Sequence, residues 1–242
     1  MTRSASSWAL WLAAVAGVAF TARLGLWQLD RAAQRDALEH EQTQRATLPP
    51  LAGDALARTD AEAAAQRHRL VVVRGRWLSG QTLFLDNEPL EGRVGFIAVT
   101  PLLIGPRDAV LVQRGWAPRD PRDRTRVPEL PTPDGEVAVR ARIAPWPSRR
   151  FDLGGEDSGR IRQNLDADSL ARAWGVTLRP LSLLELDDGA AAADGWARRW
   201  SAPAPGAGRH RGYAVQWFAL AALIAGLTVW HRILKPRRED QR

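Results

Sequence analysis

Residues 213–230 carry no charged side chain, and those 18 residues would span about 27 Å as an α-helix, close to the roughly 30 Å hydrocarbon core of a bilayer. No other feature constrains the fold as strongly, because in hydrocarbon a single segment must satisfy its own backbone hydrogen bonds and only a helix does so. The run opens on His210-Arg211-Gly212-Tyr213, and at about 100° per residue His210, Tyr213, Gln216 and Trp217 fall within an arc of about 120°. The entrance of this helix is therefore polar on one face, and the rest is apolar all round. Two readings of that face are open: Tyr213 and Trp217 anchor the helix at the interface while Gln216 bonds a neighbouring helix, or the face holds a ligand.

A second apolar stretch begins at Trp8 and, extended through Arg23 to Leu29, gives 22 residues, about 33 Å of helix, provided Arg23 snorkels to a surface. A cleaved signal peptide competes, since Ala14-Val15-Ala16 resembles a small-residue cleavage site, although the apolar stretch before it would be very short. The same helix is expected to run on beyond the membrane. Trp27 and Gln28 stand four and three residues before Arg31, residues 31–44 contain no Gly or Pro, and Pro49-Pro50 then stops it. Residues 51–66 form either a second short helix or a loose connection.

From Arg69 the periodicity changes. Residues 70–77, 81–86, 94–103, 109–116 and 136–143 read as strands separated by turn chemistry that favours antiparallel hairpins, with 177–186 as a last strand interrupted at Pro180. Residues 168–174 read as a short helix capped by Asp166 or Asp168. Residues 117–133 and 149–159 read as surface loops, and 187–209, rich in Ala, Gly and Pro, as a tether. Gly75, Gly95, Gly115 and Trp116, at or near strand ends, are expected to serve the fold and not the chemistry.

The expected organisation is a head (1–7), a first transmembrane helix (8–29), a helical connection (30–66), a β-rich domain (67–186), the tether (187–209), a second transmembrane helix (210–231) and a basic tail (232–242). The fold class is a membrane protein with two transmembrane α-helices enclosing a mainly antiparallel β (α+β) extracytoplasmic domain. Arg232, Lys235, Arg237, Arg238 and Arg242 lie close to the membrane and point to the cytoplasm. Both termini are then cytoplasmic, and the central domain of this multi-pass inner (plasma) membrane protein lies in the periplasm or outside the cell.

A net charge of +7 invites a nucleic-acid reading, but the only lysine is Lys235, and the arginines alternate with acids, as in Arg119-Asp120 and Arg122-Asp123-Arg124. That is the pattern of a solvated surface, and no nucleic-acid partner is expected. The absence of cysteine excludes disulfides, thiolate metal sites and cysteine nucleophiles. His40, His68, His210 and His231 are the whole imidazole supply, and no pair stands at the i, i+4 spacing of a helical metal site. Neither a nucleophile elbow nor a phosphate-cradling glycine loop is present, so no enzymatic activity is expected.

Five motifs in order resemble the surfeit locus protein 1 family, the membrane-bound assembly factors of cytochrome c oxidase. They are Leu24-Gly25-Leu26-Trp27-Gln28-Leu29-Asp30-Arg31; Gly75-Arg76-Trp77; Gly92-Arg93-Val94-Gly95-Phe96 with Thr100-Pro101-Leu102; Val112-Gln113-Arg114-Gly115-Trp116-Ala117-Pro118; and His210-Arg211-Gly212-Tyr213-Ala214-Val215-Gln216-Trp217-Phe218. The resemblance implies a non-enzymatic chaperone that helps mature oxidase subunit I, with subunit I, the haem a biosynthesis or insertion machinery and the lipid bilayer as partners. It also implies transient binding of haem a, with His210 as the iron ligand.

The residues suit that role. His210 opens a helix at the positive end of its dipole, between Arg209 and Arg211, with its ring nitrogens as the candidate donors to iron. Arg209 and Arg211 could equally pair the propionates. Trp27, Gln28 and Arg31 at the outer end of the first helix, with Tyr213, Gln216 and Trp217 on the second, are expected to complete one cleft. The rival classes are a membrane-anchored scaffold or receptor that binds only protein, and an anchored hydrolase.

Overall fold

The computed structural model describes residues 2–123, 125–147, 159–187, 194–200 and 207–231, and the chain divides into two compact units, Met1–Glu41 with Ala202–Arg242, and Gln42–Ser201.

The first unit is a helix pair. With no proline before Pro49, α1 (Thr2–Thr47) is one continuous helix, and α4 (Ala207–Val229) is the second. Both are long and apolar enough to cross a membrane, from Trp8 onward in α1. The expected head at 1–7 is not a separate segment, because α1 already begins at Thr2. The helices run antiparallel: Gly17 lies against Ile224, and Gly25 lies against Phe218, whose ring atoms sit 2.8 Å from where a Cβ at Gly25 would be. Thr21, Ala214 and Ala221 are buried, and the Thr21 hydroxyl donates to the Gly17 carbonyl at 2.8 Å. Small residues at the seam allow close backbone approach, which replaces the hydrophobic drive that lipid cannot supply.

The second unit is a β domain built from β1 (Leu51–Ala52), α2 (Asp60–Gln66), β2 (Leu70–Trp77), β3 (Leu83–Leu90), β4 (Arg93–Leu103), β5 (Asp108–Pro118), β6 (Glu136–Ala144), β7 (Ile161–Arg162), α3 (Ala167–Trp174) and β8 (Thr177–Glu185). The sheet order is β1-β2-β6-β8-β5-β4-β3-β7, and an added β2–β4 pairing closes β2, β6, β8, β5 and β4 into a ring. Alternation along the strands fills that ring with Val71, Val73, Leu102, Val110, Val112, Val139, Ala141, Ile143, Leu181 and Leu183. Asp166 caps α3 by accepting from the Ser169 amide, and Gly175 ends it in the left-handed conformation.

Four expectations need correction. The sheet is mixed: β2–β4, β2–β6, β3–β4, β4–β5 and β6–β8 are antiparallel, the two-residue strands give parallel β1–β2 and β3–β7, and β5–β8 is parallel because the chain passes through α3 before β8 inserts between β5 and β6. Strand β8 also runs through Pro180. The missing N–H is accommodated by a register shift against β5, where Ala109 faces Leu178 and Leu111 faces Ser182.

The supposed tether is neither wholly free nor wholly non-helical. Residues 194–200 pack on the domain, with Trp196 buried and stacked at 6.0 Å on Phe84, while 207–209 belong to α4. Residues 188–193, 201–206, nearly all of the loop at 149–159, and the basic tail from Arg232 lie outside the described residues. Finally, Arg114, Arg179 and Arg198 are buried structural cations, and the reading of the arginines as solvated surface fails for them. Arg179 reaches Asp108 with two nitrogens, at 2.8 and 2.6 Å, and the Leu56 carbonyl at 2.6 Å.

Two of the strand glycines stand where no side chain fits. A Cβ at Gly95 would collide with the Ala117 carbonyl and the Trp116 indole; one at Gly115, whose φ is +155°, would lie 2.7 Å from the Trp196 Cβ. Gly115→Glu is therefore expected to lower cellular abundance and melting temperature, since it adds bulk and charge where none fits. Normal abundance with lost oxidase assembly would instead make this edge a partner surface.

Candidate functional site

The antiparallel helix pair brings the first turn of α4 beside α1. The Nδ1 atom of half-buried His210 lies 2.7 Å from Oε1 of Gln28. An amide oxygen can only accept, so Nδ1 is the N–H donor of this pairing, and Nε2 is the ring nitrogen that the bond to Gln28 does not use. The next residue, Arg211, donates to Asp36 across the pair in an ion pair. Arg31 bonds Gln34 at 2.9 Å and lies 6.0 Å from the Trp27 ring.

The sequence-predicted residues are thus only partly brought together. His210 and Gln28 face each other, and Trp217 is half-buried, whereas Trp27, Arg31, Arg209, Tyr213 and Gln216 are exposed. At about 100° per residue Trp27 and Arg31 project to one side of the Gln28 direction, and Tyr213 projects to the same side of the antiparallel pair from α4. Trp27 is 51% and Tyr213 50% exposed, so both rings are open to their surroundings on that side. Of the two arginines beside His210, Arg211 is paired with Asp36 and Arg209 is exposed.

Asp36 lies in no motif, and Phe218, although it ends the His210–Phe218 motif, has no site role there; only the antiparallel register of the helices shows that they meet Arg211 and Gly25. Among the described residues no group of three His, Asp or Glu side chains could hold a metal ion by itself. A single imidazole can supply one axial ligand and little else.

The chain thus combines two helices long and apolar enough to cross a membrane with a closed β domain, and one histidine stands where the second helix begins. The model of the SURF1 family matches residues 15–222, most of the chain, and the protein belongs to that family, whose members are known as cytochrome c oxidase assembly factors. A comparison with the curated proteins gives no match.

Proposed function

We propose that this protein acts without enzymatic chemistry of its own, receiving haem a from the lipid side and handing it to apo-subunit I of cytochrome c oxidase. The observation that carries this reading is the 2.7 Å contact between His210 and Gln28. Haem a brings an iron centre in need of an axial nitrogen. Gln28 holds His210 through Nδ1 and leaves Nε2 to provide it, Trp27 and Tyr213 offer ring faces at the same level, and Arg209 offers a charge for a propionate. A lone axial ligand without covalent attachment suits a cargo that has to leave.

Gln28 is a positioning residue in this reading. Gln28→Leu is expected to weaken haem retention by about tenfold or more, as loss of a partner behind a metal-bound imidazole does, with membrane insertion unchanged. Retention equal to that of the parent protein would remove Gln28 from the site.

The topology assigned to this function has α1 retained, both termini in the cytoplasm and the β domain outside. Reporter fusions after Trp116 and after Arg242 are expected to report opposite sides of the membrane. A mature protein starting near Gly17 would contradict the retained helix.

A further inference from the structure

The outward face of β2 and β6 carries four arginines. Register pairs Leu70 with Arg142, Val72 with Arg140, Arg74 with Ala138 and Arg76 with Glu136, so these residues share one face while Val71, Val73, Val139, Ala141 and Ile143 fill the interior. Arg74, Arg76 and Arg140 are exposed and Arg142 is half-exposed. The ion pairs of the described residues include none of the four, and the one acid on the face, Glu136, stands at its end. Arg74 and Arg140 are diagonal cross-strand neighbours, about 7–8 Å apart. Like charges so placed repel, whereas the buried arginines of the same domain are paired, as at Arg179–Asp108 and Arg198–Asp194.

We propose that this face docks on the anionic headgroups of the bilayer in which α1 and α4 are anchored. Planar guanidinium groups match phosphate bidentately, and the small or aliphatic side chains between them, Val72 and Ala138, leave the surface free of bulk that would hold it off a headgroup layer. In the sequence only residues 201–206 separate Trp200, whose indole donates to the Glu185 carbonyl at 2.5 Å, from α4, which begins at Ala207. This docking requires that the helices span a membrane, and it is independent of any haem.

The test is arginine modification by phenylglyoxal, read by mass spectrometry, on the full chain in nanodiscs of phosphatidylcholine alone or mixed with phosphatidylglycerol. Arg74, Arg76, Arg140 and Arg142 are expected to react about fivefold more slowly in the anionic discs, relative to Arg122 and Arg126, and to lose that protection at high salt. R74Q/R140Q/R142Q, which alters only surface side chains, is expected to remove the lipid dependence at Arg76. Equal rates in the two lipids overturn the proposal, and so does protection that arises in neutral discs only when an acidic partner protein is added. Reporter fusions that failed to show two spans would strike the membrane reading itself and are scored separately.

Discussion

Arg198→Ala is expected to destabilise the β domain by about 3–5 kcal/mol, the usual cost of breaking a buried ion pair from one side, and to lower its melting temperature by roughly 10 °C. Arg198 is 2% exposed at its side chain and reaches Asp194 with two nitrogens, at 3.1 and 2.6 Å, Glu185 at 3.2 Å and the Trp196 carbonyl at 3.2 Å. It therefore clamps residues 194–200 onto the barrel. A bulge feeds the same cluster from the other side: Ala98 faces Gly115 and Val99 faces Gln113, so Arg114 is the extra residue. Its guanidinium sits 3.5 Å from Glu185 and 4.4 Å from the centre of the Trp77 ring.

The pH dependence follows from the two acids. Burial pushes the Glu185 carboxyl up, against the pull of Arg198 and Arg114. Asp194 also meets a burial penalty, but its bonds to Arg198 and to the Trp196 amide outweigh it and hold it low. Removing Arg198 lets both rise. A raised folded-state pKa favours the fold at low pH and costs stability as pH climbs through it, and the lowered Asp194 value, whose stabilisation exists only above the carboxylate range, is lost as well. The deficit of Arg198→Ala is thus larger at about pH 7.5 than at about pH 5, measured by tryptophan fluorescence during thermal unfolding in detergent. A deficit that does not change with pH would show that the loss is one of packing alone.

The strands facing the barrel interior were legible because local alternation sets them: Val137, Val139, Ala141 and Ile143 on β6 announce one dry face, and the observed strand spans Glu136–Ala144. The two-residue strands β1 and β7 leave no such pattern, and the parallel neighbours β5 and β8 are specified by contacts across some seventy residues, which no local period records. Residues 194–200 were hidden by the Ala, Gly and Pro around them, although Trp196, Arg198 and Trp200 at every second position are a strand-like signal for a segment lying on a sheet. Site residues followed the same divide. His210 stood out by its place at the head of an apolar run, whereas its bond to Gln28 depends on the register of two helices far apart in sequence.

His210→Ala removes the only imidazole in the first turn of α4 and leaves Gln28 facing a methyl group, in a helix pair whose seam of Gly25, Phe218, Ala214 and Ala221 is untouched. Insertion and abundance are therefore expected to stay at the parent level. Loss of the axial ligand is expected to cut haem retention by at least about a hundredfold and to lower the yield of haem-loaded oxidase, because the remaining ring and arginine contacts provide no bond to iron. The direct measurement is the visible absorption spectrum of the full chain purified from cells that make haem a, recorded for the parent protein and for His210→Ala at equal protein. Haem a bands in the parent that vanish or shift in the variant are the predicted result. The same haem content and the same bands in both proteins, or none in either, would contradict haem carriage at His210 and leave a scaffold that binds protein alone.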